Sequence, residues 1–218
     1  MDLLLATCNA HKTREFRELL GRDFNVIDLS AFPEIALPEE AGSTFAENAI
    51  LKAVETLRWN ASLARTVRTA QRAAPAFVIA DDSGLEVDAL GGAPGIYSAR
   101  YAGENATDAK NIAKLLSELN AKKSSDDRRS ARFRCVIALA RDGKVLGTFE
   151  GVVEGRIVDP PRGDRGFGYD PIFQPSGFEQ TFGEMGATLK NEISHRAKAA
   201  AALCEALRRG HGLRQSGN

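Results

Sequence analysis

The sequence predicts an α/β protein, with short buried strands alternating with amphipathic helices. Three observations carry that reading. The apolar run DLLLAT at residues 2–7 turns polar at Asn9, then places Phe16, Leu19 and Leu20 at helical spacing: strand, tight turn, helix. Phe77-Val78-Ile79-Ala80 is a second short run that fits an interior strand. From Ala131 to Val158 the pattern becomes that of strands, with a turn at Asp142-Gly143, which predicts a hairpin.

The remaining elements follow in chain order. Val26 to Leu29 fits a second strand, and Phe32 to Gly42 a loop containing Pro, Gly and Glu. Thr44-Phe45-Ala46-Glu47 has capping-box spacing. After it, Ala46, Ala49, Ile50, Ala53, Val54 and Leu57 fall on one helical face. Residues 59–76 show no steady period and either extend that helix or form an insertion. Residues 90–105 read as an ordered Gly-rich loop. Thr107 caps a helix whose stripe is Ile112, Leu115, Leu116 and Leu119, and Lys122 to Arg129 is a charged linker. Past the hairpin comes the Gly-rich segment Gly163 to Asp170. Ser194 then caps a last helix with the stripe Ala197, Ala200, Leu203, Cys204 and Leu207, before eight residues expected to fray. No repeat and no domain boundary shows, so residues 1–218 read as a single domain.

Composition narrows the function classes. Hydrophobic residues at 43% and charged residues at 27% are ordinary for a globular protein with a sizeable core. Lys plus Arg and Asp plus Glu both number 29, which argues against a binder of nucleic-acid polymers while leaving room for a local basic pocket. Three scattered cysteines (Cys8, Cys135, Cys204) predict neither a disulfide framework nor a zinc site, and suit a reducing compartment. No run approaches the ~18 apolar residues of a membrane span, and the amino terminus reads as a buried strand and not a signal peptide. The expected location is the cytoplasm.

Four segments carry chemistry. Thr7-Cys8-Asn9-Ala10-His11-Lys12 lies where a strand breaks into a helix amino terminus, whose free amides and positive dipole end suit an anion. Thr7 and Asn9 offer donors there, and Lys12 a charge for phosphate oxygens; the alternative is an ordinary capped helix. Asp81-Asp82-Ser83-Gly84 puts two carboxylates at the end of a buried strand, which is costly unless a cation compensates. Magnesium favours such oxygens, and a carboxylate can deprotonate an attacking water; the alternative is an Asp pair capping a turn. Pro38-Glu39-Glu40 would supply a helper acid if folding brings it beside Asp82. In Gly166-Phe167-Gly168-Tyr169-Asp170, glycine permits close approach, the two aromatics suit stacking on a flat base, and Asp170 is an acceptor. In Ser194-His195-Arg196, preceded by Lys190, His195 can reach a base carbonyl and Arg196 a phosphate; the alternative is that both are structural.

Taken in order, these segments resemble the inosine/xanthosine triphosphate pyrophosphatase family: ATCNAHKTREF at 6–16, TFAENAILKA at 44–53, ADDSGLEVDALGGAPGIYSARYAG at 80–103, GFGYDPIF at 166–173 and SHRAKA at 194–199. The resemblance covers nearly the whole chain. It implies two α/β lobes around a long mixed sheet flanked by helices, with a substrate cleft between the lobes. It implies hydrolysis of ITP, dITP or XTP to the nucleoside monophosphate and pyrophosphate, in a homodimer that uses Mg2+. By matching position, Thr7, Cys8, Asn9, Ala10, His11 and Lys12 would contact phosphates, with Lys52 an additional phosphate ligand. Glu39 and Asp82 would hold magnesium, Asp82 also accepting the proton. Ser83, Phe167, Gly168, Tyr169, Asp170, Lys190, His195 and Arg196 would contact the substrate.

Two departures stand out. The family usually has Gly where this chain has Cys8, which would narrow the approach to phosphate or force a backbone angle. Residues 59–76 exceed the usual connection and would extend a helix away from the site. Two other readings are a Maf-type pyrophosphatase, disfavoured by SHR and GFGYDPIF, and a nucleotide sensor without catalysis, which would not need Glu39, Asp81 and Asp82 together.

Overall fold

Three consecutive leucines make β1 (Asp2–Leu5) an interior strand, each with at most 1% of its surface exposed. The chain leaves it through a turn into α1 (Ala10–Leu20), which buries Phe16 and Leu20, and returns as β2 (Asn25–Asp28) parallel to β1. The computed structural model describes residues 1–32, 38, 40–66, 77–122 and 129–215, with side chains at 60–66 and 210–215 outside that description. Further along lie α2 (Phe45–Thr66), β3 (Phe77–Val87), α3 (Asp108–Ala121), β4 (Ser130–Arg141), β5 (Lys144–Ile157), β6 (Phe173–Pro175), α4 (Ala187–Ile193) and α5 (His195–Gln215). The strands form one six-stranded mixed sheet in the order β2-β1-β3-β4-β5-β6. β3 is parallel to β1, with Leu5 opposite Ile79, and β6 is antiparallel to β5. The α/β class read from the sequence holds.

The β4–β5 connection is Asp142-Gly143, at φ 50° and 78°. Two left-handed residues match the twist of the flanking strands, which is why Asp-Gly closes this hairpin. Three helix starts also follow the sequence. Thr107 Oγ1 accepts from the Lys110 amide (3.3 Å), Ser194 Oγ from the Ala197 amide (3.1 Å), and Thr44 Oγ1 from the Glu47 amide (3.1 Å). The return half of the predicted capping box differs: Glu47 accepts from the amide and hydroxyl of Ser43, both at 2.7 Å, which lowers its pKa.

Other differences are local. α5 continues to Gln215, so most of the expected frayed tail is helix. Helix α2 runs to Thr66, so the 59–76 segment begins as its extension; 67–76 lies outside the described residues, as do 123–128 of the charged linker. Strand β6 and helix α4, too short for a periodic signal, were not read from the sequence.

The chain forms two compact units. The first is Met1–Asp82, Val136–Glu150 and Ala199–Asn218; the second is Ser83–Cys135 and Gly151–Lys198. Among the buried residues of the first are Leu3–Leu5, Phe16, Val78–Ala80 and Ile137–Ala140. In the second, Phe133 packs against Phe173 at 4.7 Å between ring centroids and against Phe182 at 6.0 Å, within a cluster that includes Leu85, Leu115, Leu119 and Ile172.

Candidate active site

In the first unit the acidic set gathers on one face of α2. The apolar pattern predicts Ala46, Ile50 and Val54 on the inner face, but these are only half-buried. The buried face is Phe45, Asn48, Ala49, Lys52, Ala53, Thr56 and Leu57. Three polar residues therefore face inward at a spacing of four. Lys52 Nζ lies 2.9 Å from Asp82 Oδ1 and 2.5 Å from Glu40 Oε1, and also reaches the Asp81 carbonyl at 3.4 Å. Asn48 Nδ2 donates to Asp82 Oδ2 at 3.1 Å. Asn48 is the residue the sequence reading missed; its signal was a polar side chain one turn before Lys52, on the stripe that starts at Phe45.

Asp81 and Asp82 do not sit at a strand end. They lie inside β3, which runs on to Val87 with almost every residue buried. The reason is the apolar Leu85 and Val87 beyond them, which keep the strand in the core. Neighbouring strand residues point to opposite faces. Asp81 accordingly pairs with Lys12 at 2.9 Å, while Asp82 meets Lys52 and Asn48. The two carboxylates are thus not a pair on one ion. Burial pushes the Asp82 pKa up, Lys52 opposes this, and Glu40 adds to it. The Lys52 pKa ends raised, because Asp82 and Glu40 outweigh its own desolvation. Glu39 lies outside the described residues; Glu40 is the loop acid that is seen. No cluster of three metal-ligating side chains occurs among the described residues. The donors present, two carboxylates held near one lysine, still suit magnesium, which takes one or two carboxylates and completes its shell with water and phosphate.

The turn after β1 is ordered by its own side chains. Thr7 Oγ1 accepts from the Asn9 amide (3.1 Å), and Asn9 Oδ1 accepts from the amides of His11 (2.9 Å) and Lys12 (3.2 Å). Asn9 is thus the N-cap of α1, and its side-chain oxygen is an acceptor here. Cys8, Ala10 and His11 are exposed. Among the described residues only Asp142 is a non-glycine at positive φ, so Cys8 strains no backbone.

In the second unit, Phe167 is the meeting point. Lys190 Nζ lies 5.2 Å from its ring centre and the Arg196 guanidinium 5.7 Å. Arg196, 2% exposed, donates to Ser83 Oγ at 2.8 Å. Asp170 Oδ2 accepts from the Phe167 amide (2.8 Å) and from Lys190 Nζ (2.7 Å), with both side chains buried. Gly166, at φ +76°, has no room for a Cβ, which would overlap Asp170 Oδ2. The Gly168 amide donates to Asp108 Oδ2 at 2.6 Å. The tight turn therefore presents Phe167 between two cations.

Tyr169 departs from the expected stacking platform. It is 4% exposed, belongs to the core cluster, and its hydroxyl donates to the Ser98 carbonyl at 2.9 Å. His195 is 4% exposed and stacks on Phe133 at 4.7 Å. A separate cavity of about 650 Å³ in this unit, lined by Arg129, Arg156, Arg162 and Gln174 among others, contains none of the predicted site residues.

Comparison with known proteins finds relatives over nearly the whole chain. Residues 3–206 match the Ham1 family. The chain is 46% identical over 202 residues to the dITP/XTP pyrophosphatase of Bacillus licheniformis, covering 91% of this chain and 93% of that one. To the dITP/XTP pyrophosphatase of Bacillus subtilis it is 44% identical over 207 residues, covering 94% and 96%. Among solved structures, a HAM1 protein from Coxiella burnetii superposes with a TM-score of 0.80 at 41% identity, over 96% of this chain and 99% of that one. A nucleoside-triphosphatase / dITP/XTP pyrophosphatase from Mycobacterium abscessus gives 0.70 at 37% identity, over 93% and 98%.

Proposed function

Since this chain belongs to the Ham1 family, we propose that it is a pyrophosphatase of non-standard purine nucleoside triphosphates, the activity named for its dITP/XTP-hydrolysing relatives. The reaction is attack of water on the α-phosphorus, releasing a nucleoside monophosphate and pyrophosphate. The observation that carries the reading is Asp82: a carboxylate inside a buried strand, gripped by Lys52 and Asn48, with Glu40 bridged to it through the same lysine.

Asp82 takes the proton of the attacking water. Burial raises its pKa, and a stronger base accepts that proton more readily. Lys52 and Lys12 face the phosphate charge, and the α1 amino terminus adds its dipole. Glu40 and Asp82 are the described residues that would hold Mg2+, which when bound neutralises phosphate charge and acidifies water. Phe167 offers a ring to the purine. Lys190 and Arg196, held by Asp170 and Ser83, present donors that suit a 6-oxo purine, whose carbonyl accepts where adenine's amino group does not. We include a homodimer, which the family resemblance supports, and a cytoplasmic location, which the three scattered cysteines suit; no described helix is long and apolar enough to cross a membrane. A light-scattering mass of one chain would remove the dimer.

The test is pyrophosphate release from ITP with and without magnesium, for the parent and for Asp82→Asn. The expected loss on Asp82→Asn is about 100-fold or more in kcat, the scale of a general base, with the fold kept. Near-parental turnover would end the assignment. Equal rates on ITP, GTP and ATP would remove the purine specificity and leave the hydrolase.

A further inference from the structure

We infer that Asn48 is a positioning residue that sets the direction of the Asp82 carboxylate, an inference that rests on the function proposed above. Asn48 has no exposed surface. A primary amide buried that deeply is costly unless both its ends find partners. Both do. Oδ1 accepts from the Gly42 amide at 2.8 Å, and Nδ2 donates to Asp82 Oδ2 at 3.1 Å. The opposite amide orientation would set N–H against N–H at Gly42 and oxygen against oxygen at Asp82, so the surroundings dictate this one.

Gly42 makes the contact possible. A Cβ there would lie 2.7 Å from Asn48 Oδ1 and 2.8 Å from Glu47 Cβ, so only glycine lets the loop bearing Glu40 descend onto Asn48. One turn along α2, Lys52 holds the same carboxylate by its other oxygen, Oδ1. The two side chains divide the work. Lys52 supplies charge; Asn48 supplies direction without charge, so Oδ2 is fixed while the carboxylate keeps its negative charge for a cation and a water. An acid held by both oxygens needs no reorientation at the moment of reaction, which is where a rigid support contributes to rate.

Two variants separate positioning from simple structural support. Asn48→Ala removes both bonds. Asn48→Asp, nearly the same shape, keeps an acceptor for Gly42 and removes the donor to Asp82. Three readouts are compared with the parent: kcat and KM for ITP with magnesium, Mn2+ binding to the substrate-free protein by electron paramagnetic resonance, and amide exchange at residues 40–44. Both variants should lose about 10- to 100-fold in kcat, the scale of a misplaced catalytic group, with KM within about threefold. Asn48→Ala should also weaken Mn2+ binding, and Gly42 should exchange fast in Asn48→Ala but stay protected in Asn48→Asp. Turnover in Asn48→Asp within about threefold of the parent would overturn the inference. So would a kcat loss in Asn48→Ala matched by its loss of folded protein with Mn2+ affinity unchanged. If Asp82→Asn itself remains active, the functional reading falls; an inactive Asp82→Asn beside a fully active Asn48→Asp overturns the positioning alone.

Discussion

Replacing Lys52 with Met keeps most of the side-chain volume and removes one positive charge from between two acids. Lys52 Nζ is 2.9 Å from Asp82 and 2.5 Å from Glu40, with side-chain exposures of 9%, 7% and 24% in that order. At an effective dielectric of ~20, one unit charge pair at such a distance attracts by roughly 6 kcal/mol, and desolvation of the lysine offsets part of it. Breaking a buried pair by deleting one partner leaves a net cost of about 3–5 kcal/mol. Glu40 is the more exposed acid and recovers some solvation, so the cost should lie toward the lower end. The pH dependence follows from the Asp82 pKa, which burial raises and Lys52 restrains. Without Lys52 it rises further. A raised acid costs stability above its folded pKa and nothing below its unfolded one, so the deficit at pH 7 should shrink as pH falls toward 4. Urea unfolding of both proteins at pH 7 and pH 4, with equal m-values, measures this. Magnesium should restore part of the deficit at pH 7 if the freed carboxylates take a cation. A deficit below about 1 kcal/mol at pH 7, or one equal at both pH values, would refute the reasoning.

The second unit yields three further tests. Phe167→Ala should raise KM for ITP by about tenfold, from the ~1–3 kcal/mol that base stacking contributes, with kcat much less affected. Tyr169→Phe should leave KM and kcat near parental, because that hydroxyl serves the Ser98 carbonyl; its loss should cost about 1–2 kcal/mol in denaturant unfolding. Gly166→Ala meets both a left-handed φ and the Asp170 carboxylate, so it should destabilise by about 1–3 kcal/mol and raise KM by displacing Phe167. A stable Gly166→Ala with unchanged KM would show that the turn does not hold the ring.

Much of this protein is local in origin and so is legible in its sequence. Three leucines in a row, caps at Thr44, Thr107 and Ser194, and the Asp142-Gly143 turn each act within a few residues, and each element forms where its pattern lies. The type and order of the motif residues also carry the family resemblance, and the chain belongs to that family. Three matters needed tertiary structure. Asp81 and Asp82 read as a pair at the end of a strand, yet Leu85 and Val87 draw the strand onward, and the alternation of strand side chains sends the two acids to different lysines. Tyr169 and Phe167 look equivalent in the sequence; only packing buries one in the core and sets the other between Lys190 and Arg196. Asn48 shows in the pattern only as a polar side chain one turn before Lys52; its role is recognisable only by the partners that satisfy it. Those partners, Gly42 and Asp82, lie 6 and 34 residues away, a separation that local propensity does not encode and the folded chain closes.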